Sequence, residues 1–273
     1  MRKLFIVFII VACAAGLVLY KHQNGKTNFD SPSTTITAKS TNIDSETIHP
    51  VQITLPGSAP INAILENYNE PSSSWVLVSK TNPLTNQSYV PSSLTVPAVK
   101  TRTDKTIAEQ SLRSDIEPAI KALFGAANTA GHDIMVASGY RSFEQQQIYY
   151  SNYSRLYGET AANKFSARPG QSEHQTGLAF DISLSSRACY LEVCFGETDA
   201  GKWLAAHSYE YGFILRYPAD KTEITQYQYE PWHFRYVGQD LARALHESGL
   251  TLDEAYPYMQ TALTELKTRG LVK

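Results

Sequence analysis

The chain has 273 residues, with 24 Lys and Arg against 26 Asp and Glu. That length supports one substantial domain with appendages and needs no cross-links to hold a core. The near-balance of charge provides no basic excess, which argues against a nucleic-acid binder, and no glycine-rich phosphate loop of standard spacing points to nucleotide use.

The opening MRKLFIVFIIVACAAGLVLYKHQ sets two basic residues before an apolar run from Leu4 to Tyr20. Three readings fit it. A cleaved secretory signal would use the small residues near Ala12 to Ala15. A lipoprotein box at Ile10 to Cys13 would lipidate Cys13. A retained membrane anchor fits because the run just reaches the roughly 17 residues a spanning helix needs. All three export the remainder, so an extracytoplasmic, membrane-associated location is expected. Residues 21–74 read as a Ser/Thr-rich linker, with a short helix expected at Ile61 to Tyr68. The folded domain is expected over 75–249, beginning at the strand-like WVLVS, with a C-terminal helical extension over 250–273.

Within the domain, Ile116, Ile120, Leu123 and Phe124 recur at helical spacing and predict a helix across Ile107 to Ala130, stopped at Gly131. IMVAS (134–138) is a short buried strand, and Ser142 to Gln145 is a capping pattern opening a helix to about Tyr157. In the strand LAFDI (178–182), Leu178, Phe180 and Ile182 share one face and Asp181 takes the other. Cys189 and Cys194 could be half a zinc site, but with no second cysteine pair in an exported chain a local disulfide fits better. A helix over Ala200 to Tyr211, strands at YQYE and HFRYV, a helix over Gln239 to Ser248 and a capping box at Thr251 to Glu254 complete the pattern. Helices and strands mix without regular βαβ alternation, so the fold class expected is α+β.

Two of the seven histidines, His174 and His233, have acidic company. Asp181, in an apolar strand, is costly to bury unless it is paired or bound to a cation; an arginine or backbone partner would serve as well as a metal. His174, Asp181 and His233 together would be two histidines and a carboxylate with an open fourth position, the pattern of catalytic zinc, which brings the pKa of water to roughly 7. Glu230 could accept the proton of that water. A regular strand sends Glu230 and His233 to opposite faces, so the two converge only if the chain bends at Pro231. Arg141, in SGYRS, suits either a developing oxyanion or substrate carboxylate, or a structural salt bridge.

SGYRS followed by Gln146, then SEHQTGLAFD, then YEPWHFRYVG resemble in order the three signature blocks of VanY-like D-alanyl-D-alanine carboxypeptidases, zinc peptidases of the hedgehog/DD-peptidase type. The intervening CYLEVCFGETDAGKWLAAHSYEYGFILRYP is also similar and WVLVSKTNPLTNQSYVP more loosely so, extending the resemblance from Trp75 to Gly249. It implies a small antiparallel sheet flanked by helices and a zinc-dependent removal of the terminal D-alanine from peptidoglycan stem peptides. It further implies His174, Asp181 and His233 as Zn2+ ligands, Glu230 as catalytic base, Arg141 at the scissile carbonyl, and Ser172 and Gln146 as substrate-positioning residues. An L,D-carboxypeptidase acting on tetrapeptide stems, an endopeptidase cutting cross-bridges and a non-catalytic wall-binding module with a structural zinc stay open as alternatives.

Overall fold

Strand β1 (Val51–Ile53) pairs antiparallel with β2 (Ile61–Ala63), with Ile53 opposite Ile61. The computed structural model describes residues 51–63, 65 and 67–270. The apolar Met1 to Tyr20 segment and the beginning of the expected linker therefore lie outside the described residues. The hairpin corrects two expectations. Residues from Val51 onward are structured rather than tether, and Ile61–Ala63 is strand rather than helix. Period two explains the second point, since Ile61 and Ala63 are buried while Asn62 between them is exposed. WVLVS is irregular, not a strand, because the Arg235 guanidinium takes the carbonyls of Ser74 and Val76 that a sheet partner would use.

Short strands β3 (Leu94–Thr95) and β4 (Leu112–Arg113) pair antiparallel around helix α1 (Ile107–Gln110). The single helix expected over 107–130 is thus divided, and α2 covers Glu117–Thr129. Pro118 stands in the first turn of α2, where a missing N–H costs nothing. Next come β5 (Ile134–Ser138), α3 (Phe143–Tyr157), α4 (Glu159–Phe165), β6 (Ala179–Leu184), α5 (Asp199–His207) and β7 (Phe213–Leu215). After them follow α6 (Thr222–Thr225), β8 (His233–Tyr236), α7 (Gln239–Ser248) and α8 (Leu252–Thr268). YQYE forms no strand.

β5, β6, β8 and β7, in that spatial order, make one antiparallel sheet. One face of it carries Val136, Phe180, Ile182, Phe213 and Phe234, packed on Ile120 and Leu123 of α2 and Leu204 of α5. A second core joins the hairpin (Ile53, Leu55, Ile61, Ala63) to Leu241 and Leu245 of α7 and to Ala255, Met259 and Leu266 of α8. α8 starts at a full capping box: Thr251 Oγ1 accepts from the Glu254 N–H and Glu254 Oε2 from the Thr251 N–H. The architecture is α+β, a small antiparallel sheet flanked by helices. Among the described residues, no helix is long and apolar enough to cross a membrane.

Candidate active site and metal centre

Asp181 on β6 and His233 on β8 are direct cross-strand partners. Their side chains therefore leave the sheet on the same face, with Cβ atoms about 5 Å apart. His174 arrives from a 3-10 turn (Glu173–Thr176) ended by Gly177, whose φ of +68° only glycine adopts without strain. One donor atom from each of the three residues lies within 4.8 Å of the others, and all three side chains are buried.

The outer ring nitrogens fix the inner ones. His174 Nδ1 donates to the Gly139 carbonyl at 2.7 Å, leaving Nε2 as the inward lone pair. His233 Nε2 faces Glu173 Oε2 at 3.4 Å, leaving Nδ1 inward. Between them Asp181 Oδ1 stands 3.5 Å from His174 Nε2 and 3.3 Å from His233 Nδ1, and makes no hydrogen bond among the described residues. A buried carboxylate oxygen facing two imidazole lone pairs is what a cation would satisfy, and an N,N,O donor set suits zinc.

Glu230 meets the site by the bend that the strand reading lacked. The His233 N–H donates to the Glu230 carbonyl at 3.0 Å, so Glu230–His233 is a turn and β8 begins only at His233. That turn sets Glu230 Oε2 3.8 Å from His233 Nδ1. Arg141 lies between β5 and α3, its Nη1 donating to Gln146 Oε1 at 2.8 Å and its Nη2 to Ser138 Oγ at 3.3 Å. Its Nε is buried without a hydrogen-bond partner among the described residues. Gln146 also donates to the Ala167 carbonyl and does not itself line the cavity; its contacts make it a support for Arg141. Ser172 does line the cavity, whose volume is about 250 Å³ and whose walls include Arg141, Tyr153, Tyr227, Glu230 and Trp232. A wider cleft of about 870 Å³, lined by Asn62, Trp75, Tyr211 and Gln239, contains none of these groups, so size alone does not locate the chemistry.

Burial pushes the Glu230 carboxyl up to about 8, with His233 opposing and Asp181 reinforcing the shift. Burial would also raise Asp181, but His174 and His233 outweigh it and hold that carboxyl below the usual carboxylate range. The two histidines diverge: burial holds His174 below its ordinary value, whereas at His233 the neighbouring Asp181 and Glu173 carboxylates outweigh burial and raise the ring. Two neighbouring carboxyls are thus shifted in opposite directions, Glu230 upward by burial and Asp181 downward by its histidine neighbours.

Sequence reasoning missed Glu173. Fully buried, it accepts from Arg216 Nε and from Arg235 Nη1, each at 2.8 Å, while its other oxygen faces His233. Tyr217 and Tyr227 were missed as well; Tyr217 packs against the His233 ring at 4.8 Å and against Tyr227 at 4.5 Å. Cys189 and Cys194 are joined in a disulfide, and Leu191, inside the loop they close, lines the cavity.

A family model described as VanY, D-alanyl-D-alanine carboxypeptidase, matches residues 109–239. The putative carboxypeptidase YodJ of Bacillus subtilis (strain 168) is 42% identical over 192 residues, 70% of this chain and 70% of that protein. Among solved structures, the LdcB LD-carboxypeptidase superposes with a TM-score of 0.65 at 42% identity, covering 68% of this chain and 86% of that one. A mutant of the vancomycin-resistance D,D-pentapeptidase VanY in complex with Zn(II) superposes with a TM-score of 0.55 at 36% identity, covering 67% and 98%.

Proposed function

Because this chain belongs to the VanY family of D-alanyl-D-alanine carboxypeptidases, we propose that it is a zinc carboxypeptidase releasing the terminal D-alanine of peptidoglycan stem peptides. Its fold is of the hedgehog/DD-peptidase type, and the family description together with the likeness to LdcB supports a carboxypeptidase acting on peptidoglycan peptides. The observation that carries the zinc reading is the convergence of His174, Asp181 and His233, with Asp181 Oδ1 buried and unbonded and Glu230 beside them.

Those three residues would hold the ion, which when bound supplies Lewis acidity, acidifying water and polarising a carbonyl. Glu230 accepts the proton of the attacking water and passes it to the departing D-alanine amine as the peptide C–N bond breaks. Arg141, held by Gln146 and Ser138, offers its guanidinium to the carbonyl oxygen as negative charge develops there. Ser172, on the cavity wall, is assigned contact with the peptide.

The family description favours D,D cleavage of pentapeptide stems. The likeness to LdcB favours a second reading, L,D cleavage of tetrapeptide stems. Incubation with defined pentapeptide and tetrapeptide muropeptides decides between them: D-alanine released from pentapeptide supports the first, release from tetrapeptide alone replaces it with the second, and release from neither rejects the function. The Leu4 to Tyr20 run and the disulfide support an exported domain tethered at a membrane surface, which fractionation of cells with an epitope-tagged chain would test.

A further inference from the structure

A chain of buried ion pairs leads from His233 to the C-terminal helix. His233 Nε2 faces Glu173 Oε2 at 3.4 Å. The other carboxylate oxygen, Oε1, receives both Arg216 Nε and Arg235 Nη1 at 2.8 Å. Arg216 Nη1 in turn pairs with Asp253 Oδ2, in the first turn of α8. Glu173, Arg216 and Arg235 are fully buried, and the Asp253 side chain is 14% exposed. Two cations thus face two anions, and Asp253 supplies the second anion.

We propose that Asp253, outside the 109–239 span of the family match, is a positioning residue for the metal ligand His233, acting through Arg216 and Glu173. Arg216 Nη2 already has no partner among the described residues. Without Asp253, Nη1 loses its partner too, and a buried guanidinium with two unpaired nitrogens is strongly disfavoured. The anion within its reach is Glu173, whose Oε1 is already shared between two arginines. Arg216 would then recruit Oε2, the oxygen that faces His233 Nε2. Once that contact is lost, nothing fixes the proton on Nε2, and Nδ1 is no longer held as the inward lone pair. α8 thereby becomes part of the site although none of its side chains lines the cavity.

The inference rests on the metal-site reading, and its test separates the two. Zinc affinity of the full chain is measured by chelator competition, together with the visible spectrum of the cobalt-substituted protein and thermal unfolding. The variants are Asp253→Asn, Asp253→Glu, His174→Ala and Glu254→Gln. Glu254 lies in the same turn but pairs with Lys221 and caps the helix. Asp253→Asn is expected to weaken zinc binding about tenfold, the lower end for partners behind a ligand, and to shift the cobalt bands. Asp253→Glu restores most of the affinity because it keeps the charge. Glu254→Gln lowers the unfolding temperature and leaves affinity and spectrum unchanged. The proposal is overturned if Asp253→Asn binds zinc like the wild type with an unaltered spectrum, or if Glu254→Gln weakens zinc equally. If His174→Ala binds zinc as the wild type does, the metal-site reading itself falls and takes this inference with it.

Discussion

At His174 and His233 the outer nitrogen of each ring decides what the inner one can do. A backbone carbonyl fixes one tautomer and a buried carboxylate the other. The same logic applies to Arg141, whose aim depends on the Gln146 amide. Gln146→Ala is expected to lower kcat roughly tenfold to a hundredfold while changing KM little and zinc content not at all, because a misplaced donor loses transition-state contact. Steady-state kinetics with metal analysis checks this; a rise in KM with unchanged kcat would return Gln146 to substrate binding. His174, Asp181, His233, Glu230 and Arg141 were legible because they sit in contiguous motifs. Glu173 was not: its arginine partners are 43 and 62 residues away, and a long-range ion pair leaves no local pattern.

Among the elements, the β5–α3 connection carries the most constraint. A Cβ added at Gly139 would meet the Ser111 carbonyl oxygen at 2.4 Å, and the Gly139 carbonyl is the anchor of His174. Gly139→Ala should therefore displace the loop bearing Arg141 and reduce both zinc affinity and turnover by tenfold or more; wild-type values for both would refute the close approach. Across this loop, Glu109 caps α1 and binds Lys105 and the Tyr149 hydroxyl, while the Gly139 N–H donates to the Glu109 carbonyl. Burial would raise the Glu109 carboxyl, but Tyr149, Lys105 and Thr106 outweigh it and lower it from 4.5 to about 2. A depressed carboxyl adds stability that is full above about pH 4.5 and lost as pH falls toward about 2. Urea midpoints of the wild type should fall over that window, and Glu109→Gln should start lower at pH 7 and fall less. The division of the 107–130 helix was illegible because its apolar spacing continues across the break, whereas pairing of Leu112 with Thr95 is a tertiary choice.

Over the whole molecule, the hairpin is the feature the sequence concealed. Ser, Thr and Pro dominate its surroundings, and only Ile53, Leu55, Ile61 and Ala63 betray a buried face. Burying an Ile or Leu side chain contributes about 1.5–3 kcal/mol, so losing Ile53, Leu55 and Ile61 together rivals the lower part of a typical net stability of about 5–15 kcal/mol. We expect a chain starting at Trp75 to unfold at much lower urea than one starting at Val51; equal midpoints would restore the boundary at 75. Three of the sheet's four strands and the α+β class were legible because IMVAS, LAFDI and HFRYV carry strand signals of their own, whereas β7 (Phe213–Leu215) was not expected.

Glu230 carries the proton transfer on which the proposed hydrolysis depends. Glu230→Gln keeps the size and turn of the side chain but cannot accept a proton, and Glu230 is no member of the donor set. With purified wild type and variant on the preferred muropeptide, D-alanine release should fall about 10²–10⁴-fold, while zinc per chain stays at the wild-type value. Wild-type release by the variant would contradict the assignment of the base, and loss of zinc would show that Glu230 holds the ion rather than the proton.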